Sequence, residues 1–202
     1  MKIVIATHNK DKFKELYHGL KDLPVDLLNL YDFPEIEEIE ENGKTLEENA
    51  FIKARTVYKK TGFAAIADDT GLEVDALNGA PGVYTARYAG ENCSYSDNVN
   101  KMLLEMKNVP KTQRTATFKT VMTFVSEKKE LISEGKVEGM IAENKKGVAG
   151  FGYDPIFYVV EERKTFAEMT IDKKNIISHR ARAIMNLKHD LRSYLNLIKE
   201  NA

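Results

Sequence analysis

The sequence predicts an α/β domain built on a long mixed β-sheet flanked by helices. In roughly the first 80 residues, apolar runs typical of buried strands alternate with segments that have the apolar period of helices. Farther along, the segments 115–125 and 130–138 are predicted to be consecutive strands of a hairpin. Alternation followed by consecutive strands favours a mixed sheet. The chain of 202 residues is long enough for one domain, with room for two lobes.

Composition limits the classes of partner. The chain has 30 Lys and Arg residues against 31 Asp and Glu residues, so no global field attracts nucleic acid or an acidic membrane. A polyanion would have to meet a local basic cluster. The single cysteine, Cys93, excludes an intrachain disulfide and a cysteine-built metal site. With an N-terminal apolar run too short for a signal peptide and no run that could span a membrane, a cytoplasmic protein is expected.

The first strand and helix are predicted around residues 3–20. The apolar run Ile3–Ala6 predicts a buried strand that breaks at Thr7–Asn9. A helix follows, because apolar residues recur at helical spacing at Phe13, Leu16, Tyr17 and Leu20. Lysines lie near its first turn at Lys10, Lys12 and Lys14, where cations oppose the helix dipole. Two interpretations stay open: Thr7, Asn9, Lys12 and free amides bind a phosphate, or Thr7 or Asn9 caps an ordinary helix.

The second strand and second helix enclose an acidic loop. A strand is predicted at Val25–Leu30, and four glutamates follow at Glu37, Glu38, Glu40 and Glu41. Thr45–Glu48 has the pattern of a capping box and should open a helix. Asn49 and Lys53 lie one turn apart on that helix. They either reach a phosphate together or belong to an ordinary polar surface.

Two acidic residues follow the next apolar run. Ala64–Ala67 predicts a short buried strand bounded by a turn, with Asp68 and Asp69 at its end. Carboxylates there need a cation, hydrogen bonds or water. Strand geometry directs the two side chains to opposite faces, so they should not act as a pair on one atom. The alternative is a solvated turn containing Thr70 and Gly71.

Three later segments carry further candidate residues. A helix capped by Ser94 or Ser96 is predicted from the apolar positions Val99, Met102, Leu103 and Met106. The glycine-rich stretch 147–155 precedes a strand at Ile156–Val160, and its Phe151 could stack on a flat ring or lie in a plain turn. Ser178 is a candidate N-cap of a C-terminal helix, with His179 and Arg180 in its first turn as donors or as surface residues.

Six segments, in order and spread along nearly the whole chain, resemble the inosine/xanthosine triphosphate pyrophosphatase family: Thr7–Lys12, Glu48–Ala50, Ala67–Leu72, Gly79–Gly90, Gly150–Pro155 and Ser178–Arg180. The resemblance implies a single domain over residues 1–202 with two lobes around a central nucleotide-binding cleft. It also implies hydrolysis of deaminated purine nucleotides such as ITP, dITP and XTP to the monophosphate and pyrophosphate. Mg²⁺ and a homodimer are implied with it.

The resemblance also implies residue roles. The triphosphate would be bound by Thr7, His8, Asn9, Lys10, Asp11 and Lys12, with Lys53 assisting and Thr70 among the substrate-binding residues. Glu40 and Asp69 would hold Mg²⁺, with Glu41 as an alternative to Glu40, and Asp69 would accept the proton of the attacking water. The base would be surrounded by Phe151, Gly152, Tyr153, Asp154, Lys174, His179 and Arg180.

The chemistry expected of these residues is water attack at the α-phosphorus. Lysines would clamp the outer phosphates, and a carboxylate would orient the water. Donors from His179 and Arg180 match a 6-keto oxygen but not the 6-amino group of adenine. A nucleotide-binding regulatory module without turnover is the alternative. An aspartyl-phosphate phosphatase is disfavoured, because Ala67 precedes the acidic pair and no Asp-x-Asp spacing occurs there.

Overall fold

The computed structural model describes residues 1–200, and the side chains of residues 1–198. The strands are β1 Lys2–Ile5, β2 Asp26–Asn29, β3 Ala64–Val74, β4 Pro81–Gly82, β5 Thr115–Val125, β6 Glu130–Ile141, β7 Phe157–Val159 and β8 Lys164–Thr165. The helices are α1 Lys10–Leu20, α2 Leu46–Thr61, α3 Tyr95–Glu105, α4 Ile171–Ile177 and α5 His179–Glu200. Within the described part of the chain, no helix combines the length and apolar character needed to span a bilayer.

The strands form one mixed sheet. Its order is β2-β1-β3-β5-β6-β7-β8, and the short β4 pairs with β3. β1 lies parallel to both neighbours, with Ile3 opposite Leu27 on one side and Ala64 on the other. β7 runs antiparallel to β6 and β8. The predicted fold class, a long mixed sheet with helices, is confirmed.

The chain divides into two compact units. The first consists of Met1–Asp69, Thr120–Gly135 and the chain from His179 on. The second consists of Thr70–Lys119 and Lys136–Ser178. Three strands, β3, β5 and β6, contribute residues to both units.

The core of the first unit follows the alternation of β1. Ile3 and Ile5 are buried with apolar residues of α1 and α5, including Leu16 and Leu187. The intervening Val4 and Ala6 are buried on the other face, with Ala54 and Val57 of α2. The alternating side chains of β1 thus pack against the apolar faces of α1 and α5 on one side of the sheet and of α2 on the other.

The second unit has its own apolar core. Aromatic residues of β5, β7 and the chain after β8 pack together in it: the rings of Phe118 and Phe157 have centroids 4.7 Å apart, and those of Phe157 and Phe166 are stacked at 5.2 Å. Met102 of α3 is buried with them. Ser94 is the N-cap of this helix, which decides between the two predicted caps.

The predicted turn after Ala64–Ala67 is wrong. β3 continues without a break through Asp68, Asp69 and Gly71 to Val74. A strand can continue through two buried carboxylates because each has cationic or amide partners, described below. The pattern also gave no sign of α4, and β6 extends three residues beyond the predicted hairpin strand. The helices α1, α2, α3 and α5 are confirmed.

Candidate active site

The turn between β1 and α1 is organised by Asn9. Its side-chain Oδ1 accepts hydrogen bonds from the backbone N–H groups of Asp11 at 3.0 Å and Lys12 at 3.1 Å. The Thr7 hydroxyl accepts a hydrogen bond from the Asn9 N–H at 3.2 Å. Asn9 is therefore the N-cap of α1, as one of the two interpretations predicted. A phosphate role of this turn stays a prediction.

His8 and Lys10 of this segment contact residues that follow β2. His8 Nε2 is 3.1 Å from the carbonyl oxygen of Ile36, and the Tyr31 hydroxyl donates to the His8 carbonyl at 2.7 Å. Lys10 Nζ lies 5.9 Å from the centre of the Tyr31 ring. Asp11 is 3.7 Å from Lys14 in an exposed ion pair. Tyr31 thus orders this turn, a contact that the sequence did not indicate.

Asp68 is surrounded by cations. Its carboxylate is fully buried, with Oδ2 3.3 Å from Lys12 Nζ and 3.1 Å from both Nε and Nη2 of Arg180. Burial alone would raise the pKa of Asp68. The charges of Lys12, Arg180 and Lys53 outweigh it, so the pKa falls below its ordinary value. Asp68 is therefore an ionised carboxylate that joins α1 to α5.

Arg180 is 2% exposed and lies between two carboxylates. Besides Asp68 it contacts Glu15 of α1, whose Oε2 is 2.5 Å from Nη1. Burial lowers the pKa of Arg180, but the charges of Asp68 and Glu15 outweigh it and raise the pKa. The structure therefore places this predicted base-contacting residue in an ion-pair network. His179, the other donor of this turn, is also buried. The His179 carbonyl oxygen lies so close to Gly135 that a side chain at residue 135 would collide with it.

Asp69 has partners on a different helix from those of Asp68. Its Oδ2 accepts a hydrogen bond from Asn49 Nδ2 at 3.1 Å, and its Oδ1 is 3.6 Å from Lys53 Nζ. Asn49 and Lys53 are both buried, so their interpretation as an ordinary polar surface is wrong. The two adjacent aspartates contact different helices, which agrees with the expected opposite faces of the strand.

Glu41 joins the Asp69 group through Lys53. Lys53 Nζ donates to Glu41 Oε2 at 2.9 Å. Burial raises the pKa of Glu41, and the charge of Asp69 adds to this, whereas Lys53 opposes it. Burial lowers the pKa of Lys53, but the charges of Asp69, Glu41 and Asp68 outweigh it and raise the pKa. The neighbouring Glu40 is exposed.

The carboxylates of Asp69 and Glu41 are too few to hold a hard cation alone, but they could hold one whose other ligands come from a bound substrate. No set of three or more His, Cys, Asp or Glu residues that could hold a metal occurs in the described part of the chain. Asp69 and Glu41 both contact Lys53, and Asn49 adds an amide beside them. Mg²⁺ is commonly bound by one or two carboxylates, with water and substrate phosphates completing its shell. The residues present fit that mode.

In the second unit, two predicted residues, Phe151 and Lys174, lie around a third, Asp154. Its Oδ2 accepts hydrogen bonds from the Phe151 N–H at 2.9 Å and from Lys174 Nζ at 2.6 Å. The same Lys174 Nζ lies 4.6 Å from the centre of the Phe151 ring, a cation–π contact. Gly150 has φ +74°, and a side chain there would collide with the Asp154 carboxylate. This loop therefore needs glycine at that position.

Two other predicted residues of this loop, Tyr153 and Gly152, are accounted for by core packing and by backbone conformation. Tyr153 is buried in the core, and its hydroxyl donates to the Thr85 carbonyl at 2.9 Å. Gly152 has φ +61°, which favours glycine. The ring of Tyr95, at the start of α3, is 5.8 Å from that of Phe151 and was not predicted. Thr70 is half-buried directly after Asp69 in β3.

Glu15 makes a charged contact that the sequence pattern did not predict. It lies three residues after Lys12 on α1, and residues so spaced share a helix face. That spacing was the available signal. Its partner Arg180 is 165 residues away in the sequence, and no local pattern could pair the two.

Comparisons with known proteins agree over nearly the whole chain. Residues 3–190 match the model of the Ham1 family. A dITP/XTP pyrophosphatase of Thermoanaerobacter pseudethanolicus is 51% identical over 189 residues, which cover 94% of this chain and 96% of that protein. One of Clostridium perfringens is 48% identical over 201 residues, covering 96% and 98%. The solved structure of the Staphylococcus aureus Ham1 protein has a TM-score of 0.86 and 40% identity, covering 96% of this chain and 100% of that one. This chain belongs to the Ham1 family.

Proposed function

We propose that this chain hydrolyses deaminated purine nucleoside triphosphates, namely ITP, dITP and XTP, to the nucleoside monophosphate and pyrophosphate. The observation that carries the proposal is the Asp69 carboxylate, held by Asn49 and Lys53 in a strand interior. Relatives that bear the name dITP/XTP pyrophosphatase support the same substrate class. Binding alone does not require such a fixed carboxylate, so the alternative of a binding module without turnover is not favoured.

Lys12 and Lys53 are the proposed clamps on the triphosphate. Both ammonium groups lie near aspartates of β3, at 3.3 Å from Asp68 and 3.6 Å from Asp69. A triphosphate carries more negative charge than these two aspartates, so its phosphates attract both ammonium groups strongly. The turn of Thr7 and Asn9 adds polar groups at the N-terminus of α1, where the helix dipole favours an anion.

Mg²⁺ is proposed as the cofactor, with Asp69 and Glu41 as the residues that would hold it. Glu40 was the first sequence-based choice beside Asp69, and Glu41 is preferred because it shares Lys53 with Asp69. When bound, Mg²⁺ would neutralise charge on the triphosphate.

Asp69 is the proposed proton acceptor for the attacking water. Asn49 fixes one carboxylate oxygen, and Lys53 lies near the other. A carboxylate is a weak base, so most of the acceleration would come from the position of the water and from neutralised phosphate charge. The water would attack the α-phosphorus, and pyrophosphate would leave.

Base recognition is proposed for the Phe151 loop and Lys174, which lie in the second unit. The Phe151 ring offers a face for stacking, and Lys174 with Asp154 offers polar groups beside it. Donors suited to a 6-keto oxygen would reject adenine, whose 6-amino group leaves them without an acceptor. His179 and Arg180 keep this role as a prediction. A homodimer and a cytoplasmic location are further parts of the proposal, the latter consistent with the single cysteine.

A panel of substrates tests the proposal. The purified protein is incubated with ITP, XTP, GTP and ATP, with and without Mg²⁺, and the rate of nucleotide loss is compared. Turnover of ITP and XTP that requires Mg²⁺, with ATP nearly untouched, is the expected result. Binding of ITP without any turnover would favour the regulatory module.

A further inference from the structure

Asp68 lies at the centre of an ion-pair network in the first unit. Its side chain has no exposed surface, and it lies within 3.3 Å of Lys12 and 3.1 Å of Arg180. Glu15 contacts the same guanidinium at 2.5 Å. Lys12 and Arg180 come from α1 and α5, so a single carboxylate of β3 fixes side chains of two helices.

The burial of Asp68 separates its role from that of its neighbour. The Asp68 side chain has no exposed surface, and its Oδ2 already contacts both Lys12 and Arg180. Asp69 has a side chain that is 10% exposed, and it contacts Lys53 and Asn49 instead. The two adjacent aspartates therefore have different proposed roles. Asp69 accepts the proton of the attacking water, and Asp68 holds the cations Lys12 and Arg180.

We propose that Asp68 is a positioning residue for the pyrophosphatase reaction, and that it keeps the Lys12 ammonium in place for the triphosphate through the Lys12–Asp68–Arg180 network. This inference rests on the proposed function. Removing one partner of a buried charged network leaves the other charges without compensation, so their side chains move to new partners or to water. Lys12 is the member with most freedom to move, because its side chain is 17% exposed whereas that of Arg180 is 2% exposed.

The direction in which Asp68→Asn changes the affinity for a triphosphate tests the inference. If Asp68 acted only through its charge, its removal would reduce repulsion of the triphosphate and tighten binding. If Asp68 positions Lys12, the same change weakens binding, because the ammonium is no longer held. We expect inorganic tripolyphosphate to bind about tenfold more weakly to Asp68→Asn in calorimetry, which corresponds to one lost charge-assisted contact. Equal or tighter binding would overturn the inference.

Two matched variants separate positioning from other effects. Asp22→Asn removes a carboxylate that also pairs with two cations of α5, Lys188 at 2.5 Å and Arg192 at 2.8 Å, outside the candidate site. It should leave tripolyphosphate affinity unchanged. Asp69→Asn should lower kcat for ITP, whereas Asp68→Asn should mainly raise KM. A loss confined to kcat in Asp68→Asn would contradict a positioning role.

A double-mutant cycle identifies the residue through which Asp68 acts. Adding Asp68→Asn to Lys12→Met should change the KM for ITP by less than about twofold, because the ammonium that Asp68 holds is already absent. If Asp68→Asn changed the KM for ITP equally with Lys12 present and with Lys12→Met, the link between Asp68 and Lys12 would be overturned.

A charge-balanced pair covers the case in which Asp68→Asn does not fold. The double variant Asp68→Asn/Arg180→Met removes the guanidinium together with its carboxylate partner, so no buried Arg180 charge is left without Asp68. It is compared with Arg180→Met alone. Weaker tripolyphosphate binding in the double variant supports the inference, and equal binding overturns it. Because this readout needs no turnover, it distinguishes failure of the inference from failure of the proposed function, which would show as absent hydrolysis of ITP by the unchanged protein.

Discussion

Lys53 donates a hydrogen bond to Glu41 at 2.9 Å. The same ammonium is 3.6 Å from Asp69, so one buried cation lies close to both carboxylates that we propose for Mg²⁺. In the proposed function, the phosphates would attract Lys53 and the two carboxylates would hold Mg²⁺, so both ligands would act on the same group of charges. This relationship predicts that the metal binds more tightly with the nucleotide than without it.

The variant Lys53→Met tests whether Lys53 competes with the metal for the two carboxylates. Without its cation, the Asp69–Glu41 pair should bind Mn²⁺, a probe for Mg²⁺, about tenfold more tightly in the absence of nucleotide, since a positive charge nearby opposes binding of a metal cation. Tripolyphosphate should bind more weakly. Both affinities are measured by calorimetry. Arg55→Met is the matched control on α2, because Arg55 pairs with the exposed Glu130 at 2.7 Å. Unchanged Mn²⁺ affinity in Lys53→Met would show that Lys53 does not compete with the metal.

Asp69→Asn should lower kcat for ITP by about 10²–10⁴-fold, the usual contribution of a positioned general base. The amide keeps the shape of the side chain and its contact with Asn49, so the thermal unfolding midpoint should change little. Steady-state kinetics and circular dichroism measure the two effects. Activity near that of the unchanged protein would remove Asp69 from the mechanism.

Arg180→Ala should affect both stability and base preference. The variant leaves Asp68 buried without its guanidinium partner, which should lower the free energy of unfolding by about 3–5 kcal/mol. The ITP-to-ATP ratio of kcat/KM should narrow if the first turn of α5 recognises the 6-keto group. Arg182→Ala, an exposed position on the same helix turn, is the control. An unchanged ratio in folded Arg180→Ala would place base recognition elsewhere.

Lys174→Met should raise the KM for ITP about tenfold and leave the affinity for tripolyphosphate unchanged, because Lys174 contacts Asp154 and the Phe151 ring in the second unit. Kinetics and calorimetry give the two values. Lys173→Met is the adjacent control, since Lys173 pairs with Glu162 at 2.7 Å near the surface. Equal losses of ITP and tripolyphosphate affinity would contradict a base-specific role.

The periodic parts of the fold were predictable from the sequence. The apolar stripe of α1 and the Thr- and Val-rich strand β5 were correctly identified because burial on one face dictates their pattern. The end of β3 was misplaced, since Asp68 and Asp69 have the composition of a turn. Only partners far along the chain, such as Arg180, make a strand tolerate them there.

For the candidate site, the sequence indicated residues but not their contacts. The motifs selected Lys12, Asp69 and Arg180, but they did not show that Arg180 pairs with Glu15 and Asp68. Pairing of this kind depends on how α1 and α5 pack together, which is a tertiary property. The choice between Glu40 and Glu41 likewise depends on the path of the loop before α2 rather than on residue type.

Hydrolysis of ITP in ¹⁸O-labelled water tests the central claim most directly. Attack of water at the α-phosphorus places the label in IMP and releases unlabelled pyrophosphate, which ³¹P NMR and mass spectrometry distinguish. We predict labelled IMP and unlabelled pyrophosphate, formed only with Mg²⁺. Label in pyrophosphate, release of IDP with phosphate, or no turnover of ITP would contradict the account.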